Sequence, residues 1–414
     1  MHRIVFDDPY EFVPPHRGNV WPWLIRLNLK RVLRNSYGIV EIEYRHVERL
    51  QASLSAGHGI VLAPNHSRPC DPLLLGLMAR QAKTNLFAMA SWSVFKQGRL
   101  QAFIARRLGA FSVYREGMDR AALNCAIEIL ETAQRPLVLF PEGVISRAND
   151  RLGQLMDGTA FIARNAAKKR AKQSPAGRVV VHPVGLKYQF LGDIDASVTP
   201  VLDDIETRLT WQPCREMPLY DRIRKIGSAL ISLKEIEYIG QPQPGSLHER
   251  VGRLVDCLLA PIEKEWLKGP QTGDVVGRVK KLRTAILPEM VDGDISNDER
   301  DRRWRQLADL YLAQQLWFYP SDYVHPDGPP ERLLETVERF EEDLTDAARP
   351  HAPIKAVLEV GEAIEVSPQR ERGAAADPLM VDLEAALKSM LESLGRELTG
   401  SPPSRNAEDE RVLV

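Results

Sequence analysis

The run Asn65-His66-Ser67-Arg68-Pro69-Cys70-Asp71-Pro72 places a carboxylate five residues after a histidine. A histidine can take up a proton near neutral pH, and an acid on its Nδ1 side fixes its tautomer. That pair is the minimum needed to activate a hydroxyl. The same segment has a plain structural reading, because an N-cap Asp followed by Pro opens a helix. A second carboxylate, Glu142, sits in Phe140-Pro141-Glu142-Gly143, a run that also suits an ordinary type II turn. Between the two runs, Gly109-Ala110-Phe111-Ser112-Val113-Tyr114-Arg115 ends in an arginine. Arg115 is either a solvated side chain at a strand end or a fixed cation for a phosphate.

These residues need elements to position them. The apolar runs Gly59–Ala63 and Leu137–Leu139 read as buried strands, each just before a candidate base or acid. Ligand sites in α/β sheets collect at such strand ends. Gly38–Tyr44, Asn85–Ala90, Phe111–Tyr114 and Val179–Leu186 read as further strands, and Met118–Gln134 and Leu155–Lys169 as helices. This alternation predicts an α/β fold with a central mixed sheet flanked by helices.

From about Val201 to Pro350 long charged amphipathic helices replace that pattern: Met217–Glu237, Leu247–Lys268, Asp274–Met290, Asp298–Phe318 and Pro330–Asp346. Strand character returns at Ile354–Val360, and one strand cannot form a sheet alone. The expected organisation is therefore a core of residues 1–200 plus 351–400, a large helical insertion over 201–350, and a disordered tail over 401–414.

The bulk numbers narrow the function. The chain has 414 residues, 44% hydrophobic and 27% charged, enough for a substantial core. A formal net charge of -1 gives no global pull toward nucleic acid. Its 4 cysteines form no C-x-x-C pair, which fits a reducing compartment and argues against a zinc site. There is neither a run of ~18 apolar residues nor a signal-peptide core, so a cytoplasmic protein without a membrane span is expected. Trp21–Arg34 reads as a basic amphipathic helix with tryptophans at one end. It suits a membrane interface or, equally, a helix packed on the sheet with its basic side solvated. Lys280, Lys281 and Arg283 could likewise face lipid or form an exposed charged face.

Taken together, the blocks Asn65-His66…Asp71, Gly109–Arg115 and Phe140–Gly143, with Val181-His182-Pro183-Val184 as a looser fourth, resemble the glycerolipid acyltransferase superfamily. The resemblance covers roughly residues 38–190. It implies that His66, oriented by Asp71, is a general base that lets an acceptor hydroxyl attack an acyl thioester directly. It implies acyl-CoA or acyl-carrier protein as co-substrate, no bound cofactor or metal, and a lysophospholipid or related acceptor at a cytoplasmic membrane face. Asn65, Arg68, Arg115, Glu142, Gly143 and Arg147 are the implied substrate-binding residues. Two positions depart from the family: Ile145 stands where an arginine is usual, with Arg147 two residues later, and Arg68 replaces a common serine. Non-catalytic lipid binding and thioester hydrolysis remain alternative readings.

Overall fold

The computed structural model describes residues 5–319, 322–347, 349–351, 353–369 and 376–399, so the expected disordered tail lies outside the described residues. Its sheet contains β1 (Ile39–Arg45), β2 (Gly59–Pro64), β3 (Phe87–Ser91), β4 (Ala110–Val113), β5 (Leu137–Val138), β6 (Val179–Phe190), β7 (Ile354–Val360) and β8 (Ile364–Glu365). The order is β1-β7-β6-β2-β5-β3-β4, with β8 also pairing β6. The β6–β7 and β6–β8 pairs are antiparallel and the others parallel, so the sheet is mixed. The late strand β7 thus lies between β1 and β6.

Fifteen helices are present among the described residues. The first seven are α1 (Val20–Tyr37), α2 (Val47–Ser55), α3 (Asp71–Gln81), α4 (Ser93–Lys96), α5 (Arg99–Arg107), α6 (Arg120–Thr132) and α7 (Gly158–Arg170). Then follow α8 (Ile194–Arg208), α9 (Leu219–Ile239), α10 (Leu247–Trp266), α11 (Val275–Ile286), α12 (Pro288–Asp292), α13 (Asn297–Trp317), α14 (Pro330–Thr345) and α15 (Pro378–Thr399).

Successive side chains of a strand point to opposite faces, and β2 shows what that does here. Ile60 and Leu62 join one core with α1, α2, α3, α8, α9 and α14. Val61 and Ala63 join a second core with α6, α7 and α15. Both faces of β2 are therefore covered, which explains its unbroken apolar sequence.

The 201–350 segment divides by packing. Ile223 and Ile226 of α9 and Leu334, Val337 and Phe340 of α14 belong to the sheet-facing core. Helices α10, α11 and α13 build a third cluster around Leu254, Leu258, Leu282 and Leu310, with Val5 and Ile231. The suggested lipid-facing group on α11 is corrected: Arg283 points inward and is buried, with Val275 and Ile286 in the third cluster, while Lys280 and Lys281 remain exposed. Helix α1 packs on the sheet side of the fold, as one of the two readings of its segment expects. Leu29 and Leu33 pack into the sheet-facing core, whereas Val20, Trp23, Leu24 and Leu27 face outward.

Candidate active site

His66 follows β2, Arg115 follows β4 and Glu142 follows β5, so parallel strands deliver all three at their C-terminal ends. His66 Nδ1 lies 2.8 Å from Asp71 Oδ2. A carboxylate only accepts, so Nδ1–H donates and Nε2 is left with its lone pair. No hydrogen bond engages Nε2 among the described residues. The ring is stacked on Phe140, with centroids 3.9 Å apart.

Asp71 is the first residue of α3, and Cys70 occupies the N-cap without a side-chain cap bond. The helix-cap reading of Asp71 therefore does not hold. Its carboxylate accepts instead from Arg68 N at 3.0 Å, from His66 and from the Tyr188 hydroxyl. Burial and the Asp71 charge push the Tyr188 hydroxyl well above its ordinary range, so it stays protonated and keeps donating. The same two causes push the Cys70 thiol up to about 12, which leaves it protonated and a poor nucleophile.

Glu142 holds the loop that carries His66. Its Oε1 accepts from His66 N at 2.7 Å and its Oε2 from Gly153 N at 2.8 Å. Burial pushes this carboxyl up to about 7, against the pull of those two N–H donors, while the Asp71 charge adds to the rise. The turn closes through Gly143 N to Phe140 O at 3.0 Å. Gly143 takes a positive φ of +67°, the left-handed region that favours glycine. Ser146 N and Oγ then bind His66 O at 2.8 and 3.1 Å, clamping the histidine backbone from the far side.

The implied substrate-binding set separates in space and in role. Asn65 is buried and exchanges two hydrogen bonds with the Leu186 backbone, 3.0 and 2.7 Å long, which ties β2 to β6. Asn65 and Glu142 thus spend their polar atoms on backbone groups rather than facing a substrate. Arg68 pairs with Glu338 at 3.3 Å and Glu335 at 3.5 Å, and its guanidinium lies 5.2 Å from the Tyr188 ring. Arg147, in left-handed conformation at φ +56°, pairs through both terminal nitrogens with Glu342. Two of the three candidate anion-binding arginines are therefore neutralised by α14. Arg115 forms no hydrogen bond or ion pair among the described residues. Buried Arg283 of α11 feels the charges of both Arg115 and Glu116, and its Nε and Nη2 have no hydrogen-bond partner.

Neither Tyr188 nor the α14 glutamates stand out in the sequence as site residues. The fourth block is structural: buried His182 donates from Nδ1 to Gly361 O at 2.9 Å, and its Nε2 accepts from Ser53 Oγ at 2.9 Å.

Residues 41–187 match the family model described as Acyltransferase. This segment is a glycerolipid acyltransferase domain. It holds His66, Asp71, Arg115 and Glu142; Tyr188 lies one residue past the match, and α14 lies wholly outside. The acyltransferase domain supports a general acyl-transfer function for the chain. No curated protein matches the chain.

Proposed function

We propose that the protein moves a fatty acyl group from a thioester, carried by CoA or acyl-carrier protein, to a hydroxyl of a lysophospholipid or related glycerolipid. The observation that carries this reading is the 2.8 Å His66–Asp71 hydrogen bond on a backbone clamped by Glu142 and Ser146. His66 Nε2 takes the proton of the acceptor hydroxyl as its oxygen attacks the thioester carbonyl. The tetrahedral adduct collapses with cleavage of the C–S bond, and the departing thiolate takes the proton from the imidazolium. Asp71 balances the imidazolium charge while it exists. Arg115, which has no hydrogen bond or ion pair among the described residues, supplies a cation for an anionic head group.

The reaction takes place at a membrane surface in this proposal, on its cytoplasmic face. No helix among the described residues is long and apolar enough to cross a membrane. Exposed apolar side chains instead gather on two touching helices: Val20, Trp23, Leu24 and Leu27 of α1, with Leu100 and Phe103 of α5. Trp21 packs edge-on against Phe103, 5.1 Å between centroids, and joins the two. Exposed Lys30, Arg31 and Arg99 border this patch, a combination suited to an anionic lipid surface.

Mass spectrometry of the products from one acyl-CoA and a mixture of lysolipid acceptors tests the reaction. A diacyl product is expected. Release of free acid that ignores the acceptors would identify a hydrolase, and lipid binding without any product would identify a non-catalytic protein.

A further inference from the structure

Helices α9, α10, α13 and α14 enclose a cavity of about 820 Å³. Apart from Arg147, every residue lining it lies outside the matched acyltransferase domain. Its volume falls in the ~300–1,000 Å³ range of small-molecule sites. Leu230, Val251, Leu312 and Phe340 wall it, with Arg224, Lys234 and Glu237 of α9 also in its lining. The cavity reaches the candidate active site through two residues. Glu335 lines the cavity and pairs with Arg68, whose backbone N–H binds Asp71. Arg147 lines it too, directly after Ser146, which holds the His66 carbonyl. On α9, the lining residue Leu233 and its neighbour Ile236 are 55% and 49% exposed, giving the cavity an apolar rim.

We propose that this cavity binds the long fatty acyl chain of a substrate, with the functional end of the chain at Arg147 and its methyl end between α9 and α10. Volume, apolar walls and position select this ligand: a cavity of this size lined by Leu230, Ile231, Val251, Leu312, Leu316 and Phe340, and opening at Arg147 beside the loop that holds His66, fits a long apolar chain with its reacting end at that loop. A compact polar ligand would leave the chamber unfilled. The helical segment then acts as a measuring device for chain length, added to a domain that supplies the chemistry. The inference rests on the acyl-transfer reading for the identity of the reacting end, but the chain site can be tested without turnover.

Gly227 of α9 lines the cavity, and a Cβ there would sit 3.5 Å from the Phe340 ring, an ordinary contact. A larger side chain at this position is directed into the chamber. The test is fluorescence titration of the full chain with cis-parinaric acid, in the His66→Ala background and with Gly227→Phe or Val251→Phe added, each checked for folding by circular dichroism. Each buried methylene is worth about fourfold in affinity, so displacing a few of them should weaken the probe at least ~tenfold. In the otherwise unaltered enzyme, the same substitutions should lower the ratio of palmitoyl to butanoyl transfer by a similar factor. Varying chain length first in the thioester and then in the acceptor identifies whose chain occupies the cavity: the affected series is the one that binds there. Two folded filling variants with unchanged probe affinity and unchanged chain-length ratios would overturn the proposal. Probe binding that is lost on filling, in a protein that transfers acyl groups to no acceptor, would uphold the chain site and overturn the reaction instead.

Discussion

The half of the site borne by the sheet and the half added by α14 use carboxylates in opposite ways. On the sheet side, Asp71 and Glu142 are buried and accept hydrogen bonds that fix the position of His66. Their partners include three backbone N–H groups, those of His66, Arg68 and Gly153, which cannot swing away. On the α14 side, Glu338 and Glu342 meet guanidinium groups on long side chains, while buried Glu335 pairs with Arg68 and also accepts from Asn149 N and the Tyr323 hydroxyl. Backbone bonds set geometry, whereas ion pairs between flexible, partly solvated side chains set charge and can be exchanged for a ligand. The sheet half is built to hold His66 still, as the proposed base requires. The α14 half neutralises cations where an anionic substrate would otherwise meet them.

Substitutions should expose that contrast. The largest effect is expected for His66→Ala, with acyl transfer lowered by about 10²–10⁴-fold in a protein that melts cooperatively, as turnover and calorimetry would show. Glu142→Gln comes next and reads on stability. Because burial raises this carboxyl to about 7, the stability it contributes is full below its ordinary value near 4.5 and is lost as pH rises through about 7. Denaturant titrations should therefore show a pH slope across that window, worth about 3 kcal/mol, that is absent in Glu142→Gln.

Tyr188→Phe removes one donor from buried Asp71. It should cost about 1–3 kcal/mol of stability and lower kcat more than it alters KM, because Asp71 orients the base and does not touch the acceptor. The smallest effect is expected on the α14 side. Glu342→Gln should cost about 1 kcal/mol, since its pair with Arg147 is partly solvated, and should lower KM for an anionic acceptor by freeing Arg147. A stability loss there as large as that of Tyr188→Phe would erase the distinction between the two halves.

The same contrast decides what could be read from the chain. His66, Asp71 and Glu142 stand beside apolar runs that become β2 and β5, so their placement at strand ends follows from local pattern. Tyr188 lies past the strand pattern that the sequence shows up to Leu186, while β6 continues to Phe190 and carries the hydroxyl back to Asp71. Helix α8 escaped because Pro200 lies inside it and interrupts the helical pattern. The amphipathic pattern of α14 was visible, but not which arginines its glutamates meet. Arg68 and Glu338 are 270 positions apart, and Arg147 and Glu342 are 195 apart, so only the folded chain defines those pairs. Arg283 reads as a surface cation beside Lys280 and Lys281, yet α11 turns it inward among Arg115, Glu116 and Tyr311.

The most direct test of the central claim compares the unaltered protein with folded His66→Ala, using an isotopically labelled acyl thioester and a lysolipid acceptor, with products resolved by mass spectrometry. The expected result is labelled acyl chain on the acceptor hydroxyl and one equivalent of free thiol from the unaltered protein, and at least ~10²-fold slower formation of both by the variant. Equal product from both would contradict the assignment of His66 as the base.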